Sequence, residues 1–215
     1  LKDLINSEKV PTIHLDKIFR QAAKSKIIVN AHKVNSGEKF EVDNKEKVGD
    51  EEAENDFFYI KENVQEKILY HVLSLSKDRL KKYADYDFFK NIQVITPTKK
   101  GMLGTRELNQ SLQEALNPKD ISKNEKVNLN TTYREGDRVM QTKNNYDMFW
   151  EKKTPKYETG TGVFNGELGI IEKIDNNEKV VKIRFDDEKV AWYEFQDLEQ
   201  IELAYSITIH KAQGS

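Results

Sequence analysis

Cysteine is absent from the 215 residues. That removes disulfides, thiolate metal sites and cysteine nucleophiles, and it is compatible with a reducing cytosol. Basic charge is not in excess either: 35 Lys and Arg face 37 Asp and Glu, a formal net charge of -2. Nucleic-acid binders often carry a global basic excess, so any such contact here must use a local patch. No run approaches the roughly 18 apolar residues of a membrane-spanning helix. No amino-terminal segment has the charged, apolar, small-residue order of a signal peptide. A cytoplasmic protein without a membrane partner is the expectation. The four histidines are far apart and form no HExxH or paired ligand spacing, so no metal site is expected. His210 has no Ser/Asp partners at a defensible triad spacing, and no carboxylate pair stands out as a glycosidase pair.

What is present is charge of both signs, 33% of the chain, over a length that suits one large or two small domains. The start at Leu1 without Met points to a piece of a longer protein. Residues 1 to 36 read as α/β. Ile13, Leu15, Ile18 and Phe19 form a short apolar stretch before Arg20 and Gln21. Ile27, Ile28, Ala31 and Val34 then recur at helical spacing, with Ser25 as a cap and Gly37 where a left-handed C-terminal residue ends a helix. Residues 37 to 56 are charged and read as an exposed, mobile loop. Phe57 to Ile60 is a strand candidate. Val64, Ile68, Leu69, Val72 and Leu75 make a helical stripe. Ile92 to Thr96 is a β-rich run stopped by Pro97, and Thr105 to Leu116 is an amphipathic helix ended by Asn117-Pro118. Strands alternating with helices imply a parallel sheet.

After about residue 132 the period changes. Asp137–Thr142, Leu168–Ile174, Val180–Phe185 and Val190–Phe195 are short strands, the last three separated by Asp175-Asn176-Asn177 and Asp186-Asp187, which is hairpin chemistry. Short strands at this spacing predict a small barrel. The alternating run Ile201, Leu203, Tyr205, Ile207, Ile209 then returns to the α/β style as one strand and delivers His210, Lys211, Gln213, Gly214 and Ser215 to its carboxyl end. In open α/β sheets ligands bind at such ends, because the loops leaving the strand tips converge there. A frayed polar tail is the plainer alternative. The barrel, bracketed by two pieces of α/β pattern, reads as an insertion.

Three further clusters could carry chemistry. Arg20 is permanently charged and forks onto phosphate oxygens, although a surface ion pair would use it equally well. Thr96 to Gly104 (TPTKKGMLG) follows a strand and precedes a helix, and its hydroxyls, lysines and glycines suit phosphate. It is not a GxxxxGK[ST] loop, since both lysines precede the glycines, so nucleic-acid backbone is the better match; an ordinary strand-to-helix turn also accounts for it. Asn144, Asn145 and Tyr146 end a strand in amides and an aromatic ring that could contact backbone or stack on a base, or simply form a turn. Phe164 to Gly169 reads first as a tight turn.

In order along the chain, the strings IFRQAAKSKIIVNAHKVNSGE, VITPTKKGMLGTRELNQSLQEALNP, YREGDRVMQTKNNYD, VFNGELGIIEKI and ELAYSITIHKAQGS resemble the carboxyl-terminal part of RecD-like superfamily 1 DNA helicases, the exodeoxyribonuclease V alpha-subunit family. The resemblance implies an α/β fold in which a RecA-like parallel-sheet domain, residues 1–132 and 200–215, is interrupted by an SH3-like β-barrel at 133–199. It implies that Arg20 lies in motif IV and acts catalytically on the ATP γ-phosphate from across a cleft, beside Gln21. It implies that Thr208, His210, Lys211, Gln213, Gly214 and Ser215 lie in motif V, which touches single-stranded DNA at its start and the nucleotide near Gln213, Gly214 and Ser215. Thr98, Lys99, Lys100, Gly101, Asn144, Asn145 and Tyr146 match regions that line the DNA path. ATP and Mg2+ would be cofactors of the intact protein. Single-stranded DNA, a first RecA-like domain and nuclease-complex subunits would be its partners, in 5′ to 3′ unwinding for recombination and repair. The chain has no Walker A string, no acidic Mg2+ motif and no motif VI, so alone it is expected to be catalytically silent. A non-catalytic nucleic-acid or protein-binding module is the alternative. Residues 148–162 are longer than the family pattern and read as an exposed loop, with Phe149 and Trp150 as packing or DNA-contact residues.

Overall fold

The computed structural model describes residues 2–13, 25–42 and 56–213, and the chain divides into two compact units, Leu1–Lys61 and Glu62–Ser215. In the first unit α1 spans Lys2–Asn6 and α2 spans Lys26–Asn35. The α2 ends follow the sequence signals. Ser25 Oγ accepts from the Ile28 N–H, and Asp56 accepts from the Ser25 hydroxyl and, at 2.8 Å, from the Lys26 N–H. Gly37, at φ 79°, lets the chain turn so that the Gly37 and Glu38 N–H groups bond Val34 O (3.1 Å) and Lys33 O (2.8 Å). This is the two-bond pattern that satisfies a helix carboxyl end. The expected loop at 37–56 is in part held in place. Asn30, buried on α2, exchanges two 2.9 Å hydrogen bonds with the backbone of Glu41, while 43–55 lie outside the described residues. The expected strand at Phe57–Ile60 does not form a ladder. Its aromatic rings pack instead, Phe57 and Tyr59 each edge-on to Phe40, at 6.0 and 5.4 Å.

The second unit opens with α3 (Gln65–Ser74), which runs through a π-helical turn at Leu75–Arg79 into α4 (Leu80–Ala84). Asp87 caps the short α5 (Phe88–Asn91), and β1 (Val94–Thr96) and α6 (Thr105–Leu116) follow. A two-stranded hairpin, β2 (Glu125–Asn128) and β3 (Thr131–Arg134), precedes an antiparallel sheet. That sheet comprises β4 (Arg138–Gln141), β5 (Asn145–Lys152), β6 (Glu158–Val163), β7 (Leu168–Asp175), β8 (Val180–Phe185), β9 (Val190–Glu194) and β10 (Ile201–Leu203), in the spatial order β10-β4-β7-β8-β9-β5-β6. Finally β11 (Ser206–Thr208) lies parallel to β1, and α7 (Ile209–Ala212) ends the described chain.

The core follows from alternation. In β8 the inward residues Val181, Ile183 and Phe185 are buried and the residues between them are half-exposed. They meet Ile171 and Ile174 of β7 and Ala191 and Tyr193 of β9. Each such aliphatic side chain contributes about 1.5–3 kcal/mol by leaving water. Leu108 and Leu112 of α6 join the same cluster.

Three expectations need correction. The ladder is open: β10 and β6 are its two ends and do not pair among the described residues, so the strands do not close into a barrel. β5 carries two extra residues between its Asn145–Val163 and Phe149–Thr161 pairs, and such a bulge bends a strand and leaves part of its ladder unpaired. Residues 148–162 are a loop only at 153–157. The rest belong to the strands of the β5–β6 hairpin, held where Trp150 lies over Gly160, so closely that a Cβ there would sit 2.5 Å from the indole. The run Ile201–Ile209 is not one strand. It leaves β4 after Leu203, buries Ala204 and Tyr205, and then joins β1 as β11, because the Tyr205 hydroxyl is drawn inward to Asp137.

Candidate nucleic-acid interface

The β1–β11 pair positions two of the predicted clusters. Val94, Ile95 and Thr96 are register partners of Ser206, Ile207 and Thr208 in parallel. The chain therefore leaves both strands at the same end, where side chains from separate loops meet. From β1 it enters Pro97–Gly104. Thr96 Oγ1 donates to Leu103 O at 2.6 Å and Thr98 Oγ1 to Lys100 O at 2.8 Å, and the Gly104 N–H closes the loop onto Gly101 O at 2.8 Å. Gly101 has φ 86°, open to glycine at little cost. Gly104 has no room for a side chain, since a Cβ would lie 2.5 Å from the Lys100 carbonyl oxygen. Thr98, Lys99, Lys100 and Gly101 are exposed. From β11, Thr208 caps α7 by accepting from the Lys211 N–H at 3.4 Å. His210 and Gln213 are exposed and Lys211 is half-buried.

A third predicted cluster reaches the same place through hydrogen bonds. Lys211 Nζ donates to Asn165 Oδ1. The Asn165 N–H donates to Asn144 Oδ1 at 2.9 Å, and Asn144 Nδ2 to the Tyr146 hydroxyl at 3.3 Å. The two asparagines differ. Asn144 is exposed, whereas Asn145 is tied to the framework, its Nδ2 donating to Gln200 Oε1 at 2.9 Å. Tyr146 is 66% exposed. Arg20, Gln21, Gly214 and Ser215 lie outside the described residues.

Sequence reasoning missed the network behind these loops. Asn109, Gln113 and Asn117 follow one another every four residues, the spacing of one helix face. Asn109 accepts from the Ser206 N–H at 2.7 Å and donates to Leu203 O at 2.8 Å, gripping the passage from β10 to β11. Gln113 and Asn117 donate to the buried Asp137 carboxylate at 2.6 and 2.7 Å. Asp137 also accepts from the Arg134 N–H at 2.7 Å and the Tyr205 hydroxyl at 2.8 Å. Burial pushes the Asp137 carboxyl above its ordinary value against these four donors. Burial and the neighbouring Asp137 charge hold Tyr205 neutral, far above the ordinary phenol value. The four-residue spacing of the amides was the available signal. Among the described residues no group of His, Asp and Glu side chains could hold a metal ion, and no helix is long and apolar enough to cross a membrane.

Comparison with known proteins finds helicase relatives. Residues 108–185 match the ATP-dependent RecD-like DNA helicase SH3 domain. The chain is 30% identical over 213 residues to the ATP-dependent RecD2 DNA helicase of Deinococcus radiodurans, covering 97% of this chain and 24% of that protein. It is 28% identical over 127 residues to the RecBCD enzyme subunit RecD of Buchnera aphidicola, covering 59% of this chain and 19% of that one. The chain thus spans at most about a quarter of the length of these relatives. A solved structure of Bacteroides Pif1 helicase with ADP-AlF3 and single-stranded DNA aligns over 93% of this chain and 43% of that one, at 18% identity and a TM-score of 0.47. With the SH3 domain of the RecD-like DNA helicases matched over residues 108–185 and a RecD-type relative aligned along 97% of the chain, this chain is similar to a fragment of the RecD-like DNA helicases.

Proposed function

We propose that this chain is the part of an ATP-dependent 5′ to 3′ DNA helicase that carries one side of the ATP cleft and a stretch of the single-strand track. In this reading residues 1–132 and 200–215 form a RecA-like domain and 133–199 an SH3-like insertion. The observation that carries it is the meeting of three separate clusters. The β1 and β11 tips leave one sheet edge side by side, and Lys211 is linked through Asn165 to Asn144 and Tyr146. Lysines, amides and an exposed ring are the donors that sequence-tolerant strand binding uses. Thr98, Lys99, Lys100, Gly101, Thr208, His210 and Lys211 would contact phosphates and sugars, with Asn144, Asn145 and Tyr146 beside them.

Arg20, Gln21, Gln213, Gly214 and Ser215 would hold the phosphate end of ATP-Mg2+ in the intact protein. A guanidinium, amides, a hydroxyl and a glycine backbone are chemically suited to that anion. The bound nucleotide supplies the free energy of γ-phosphate hydrolysis. The part of this chain is to offer Arg20 across the cleft and to move its track when cleft contacts form and release. Alone it is expected to turn over no ATP. The test is binding of the full 215-residue chain to labelled oligothymidine across salt concentrations. Log affinity should fall linearly with log salt, by about 0.7 for each phosphate neutralised on a single strand. Salt-independent binding, or none, would sink the track and favour a protein-binding module.

A further inference from the structure

Two side chains of the turn between β6 and β7, Phe164 and Asn165, hold two of the proposed DNA contacts. The Phe164 ring meets Tyr146 nearly at right angles, with centroids 5.7 Å apart and planes at 72°. Phe164 is itself fixed. It folds back over Gly162, where φ is 103° and a Cβ would lie 2.9 Å from the ring. The turn is bonded to β4 on both sides, Gly166 N–H to Gln141 O at 2.8 Å and Gln141 N–H to Glu167 O at 2.9 Å. Both rings reach solvent, Tyr146 66% and Phe164 41% exposed. An edge-to-face pair leaves a ring face open, and an open aromatic face on a rigid support is what a planar base stacks on. Asn165 treats Lys211 in a parallel way. It holds the ammonium with a neutral amide oxygen, which orients the charge without cancelling it, so the lysine keeps its attraction for an anion.

We propose that Phe164 and Asn165 are positioning residues of the single-strand track: Phe164 sets the Tyr146 ring to stack on one base, and Asn165 sets the Lys211 ammonium for a neighbouring phosphate. This rests on the single-strand reading of the proposed function. It adds a division of labour in which the β6–β7 turn touches DNA little and prepares the residues that do.

The experiment uses the full 215-residue chain, oligothymidine carrying one 2-aminopurine, and five variants, one of them double, with thermal melting as the control for folding. Phe164→Leu keeps the apolar bulk and loses the ring; it should weaken binding roughly tenfold, the scale of one lost base stack, and relieve the quenching of 2-aminopurine. Phe164→Tyr should restore both. Phe164→Leu added to Tyr146→Ala should cost little more than Tyr146→Ala alone, because both remove one stack. Asn165→Ala should lower the salt slope by about 0.7, one phosphate on a single strand. If Tyr146→Ala is impaired while Phe164→Leu binds and quenches like the wild type and Asn165→Ala keeps its salt slope, the inference is overturned and the single-strand reading stands. If the wild-type chain shows no salt-dependent binding, that reading falls and takes the inference with it.

Discussion

The seven-stranded antiparallel sheet and the β1–β11 parallel pair are built by opposite rules. In the sheet, inward positions are apolar and fully buried, as at Ile171, Val181, Ile183 and Tyr193, and the ladder spans seven strands. The parallel pair has three register partners per strand, and what it presents is polar and exposed: Lys99, Lys100, His210. A short parallel pair cannot support itself on area alone. It is held by Asn109 on one side and by Tyr205 and Asp137 on the other. The lesson is a separation of duties. One set of residues fixes the frame through burial and saturated hydrogen bonds, and another stays exposed and, in the proposed function, meets the ligand.

Variants can break that separation, and the largest expected effect belongs to the ligand set. Arg20→Ala in the intact protein should slow ATP turnover by roughly 10³-fold or more while DNA affinity and melting temperature stay near wild type. Parallel loss of both turnover and DNA binding would move Arg20 to the frame. Asp137→Ala is the corresponding frame variant. It strands four donors in the interior and should cost about 3 kcal/mol in urea unfolding; a cost well below that would mean water replaces the carboxylate.

Gly104→Ala probes the border between the two sets. Its new methyl meets the Lys100 backbone, so the lysine loop must shift, at about 1–3 kcal/mol. Oligothymidine affinity should fall with stability, and unchanged affinity would separate the loop from the track. The smallest effect is Glu125→Gln. The Arg134 guanidinium, whose Nε donates to Glu125 at 2.6 Å, holds that carboxyl below its ordinary value. A lowered carboxyl stabilises above its ordinary pKa, and that contribution is lost as pH falls through the lowered one. The gap between wild type and variant should therefore be full at neutral pH and close in acid. Asp137, raised by burial, has the opposite sign. Its contribution is greatest in acid and declines as pH rises from the ordinary value through the raised one. Unfolding of both variants across pH would show whether the two carboxylates tilt the stability curve in opposite directions.

Much of the frame is legible in the amino-acid string. The Ser25 and Gly37 signals bound α2, Pro97 stops β1, and the β7, β8 and β9 strands with their Asp and Asn turns stand where their alternation sets them. Two departures have different causes. Residues 148–162 read as a loop because they exceed the family pattern, and the bulge between Asn145 and Phe149 hides their strand alternation. The run Ile201–Ile209 reads as one strand because alternation persists through Tyr205 although the chain changes sheet there. For the interface, the candidate side chains are visible as chemistry. The link from Lys211 through Asn165 to Asn144 is not, since nothing local marks an asparagine in a turn as a partner for a lysine 46 residues away.

By itself the sequence determined many of the element types, the buried faces and most of the turns, and it carried the family resemblance, because periodicity, capping and turn chemistry act over a few neighbouring residues and motif order survives in the string. Only the tertiary structure decided that β1 pairs with β11, that Asp137 gathers donors from α6 and its end, from Arg134 at the end of β3 and from Tyr205, and that Phe164 faces Tyr146. Those outcomes depend on where distant parts of the chain come together, and the free energy of burying and saturating a polar group is settled only once all of its partners are in place.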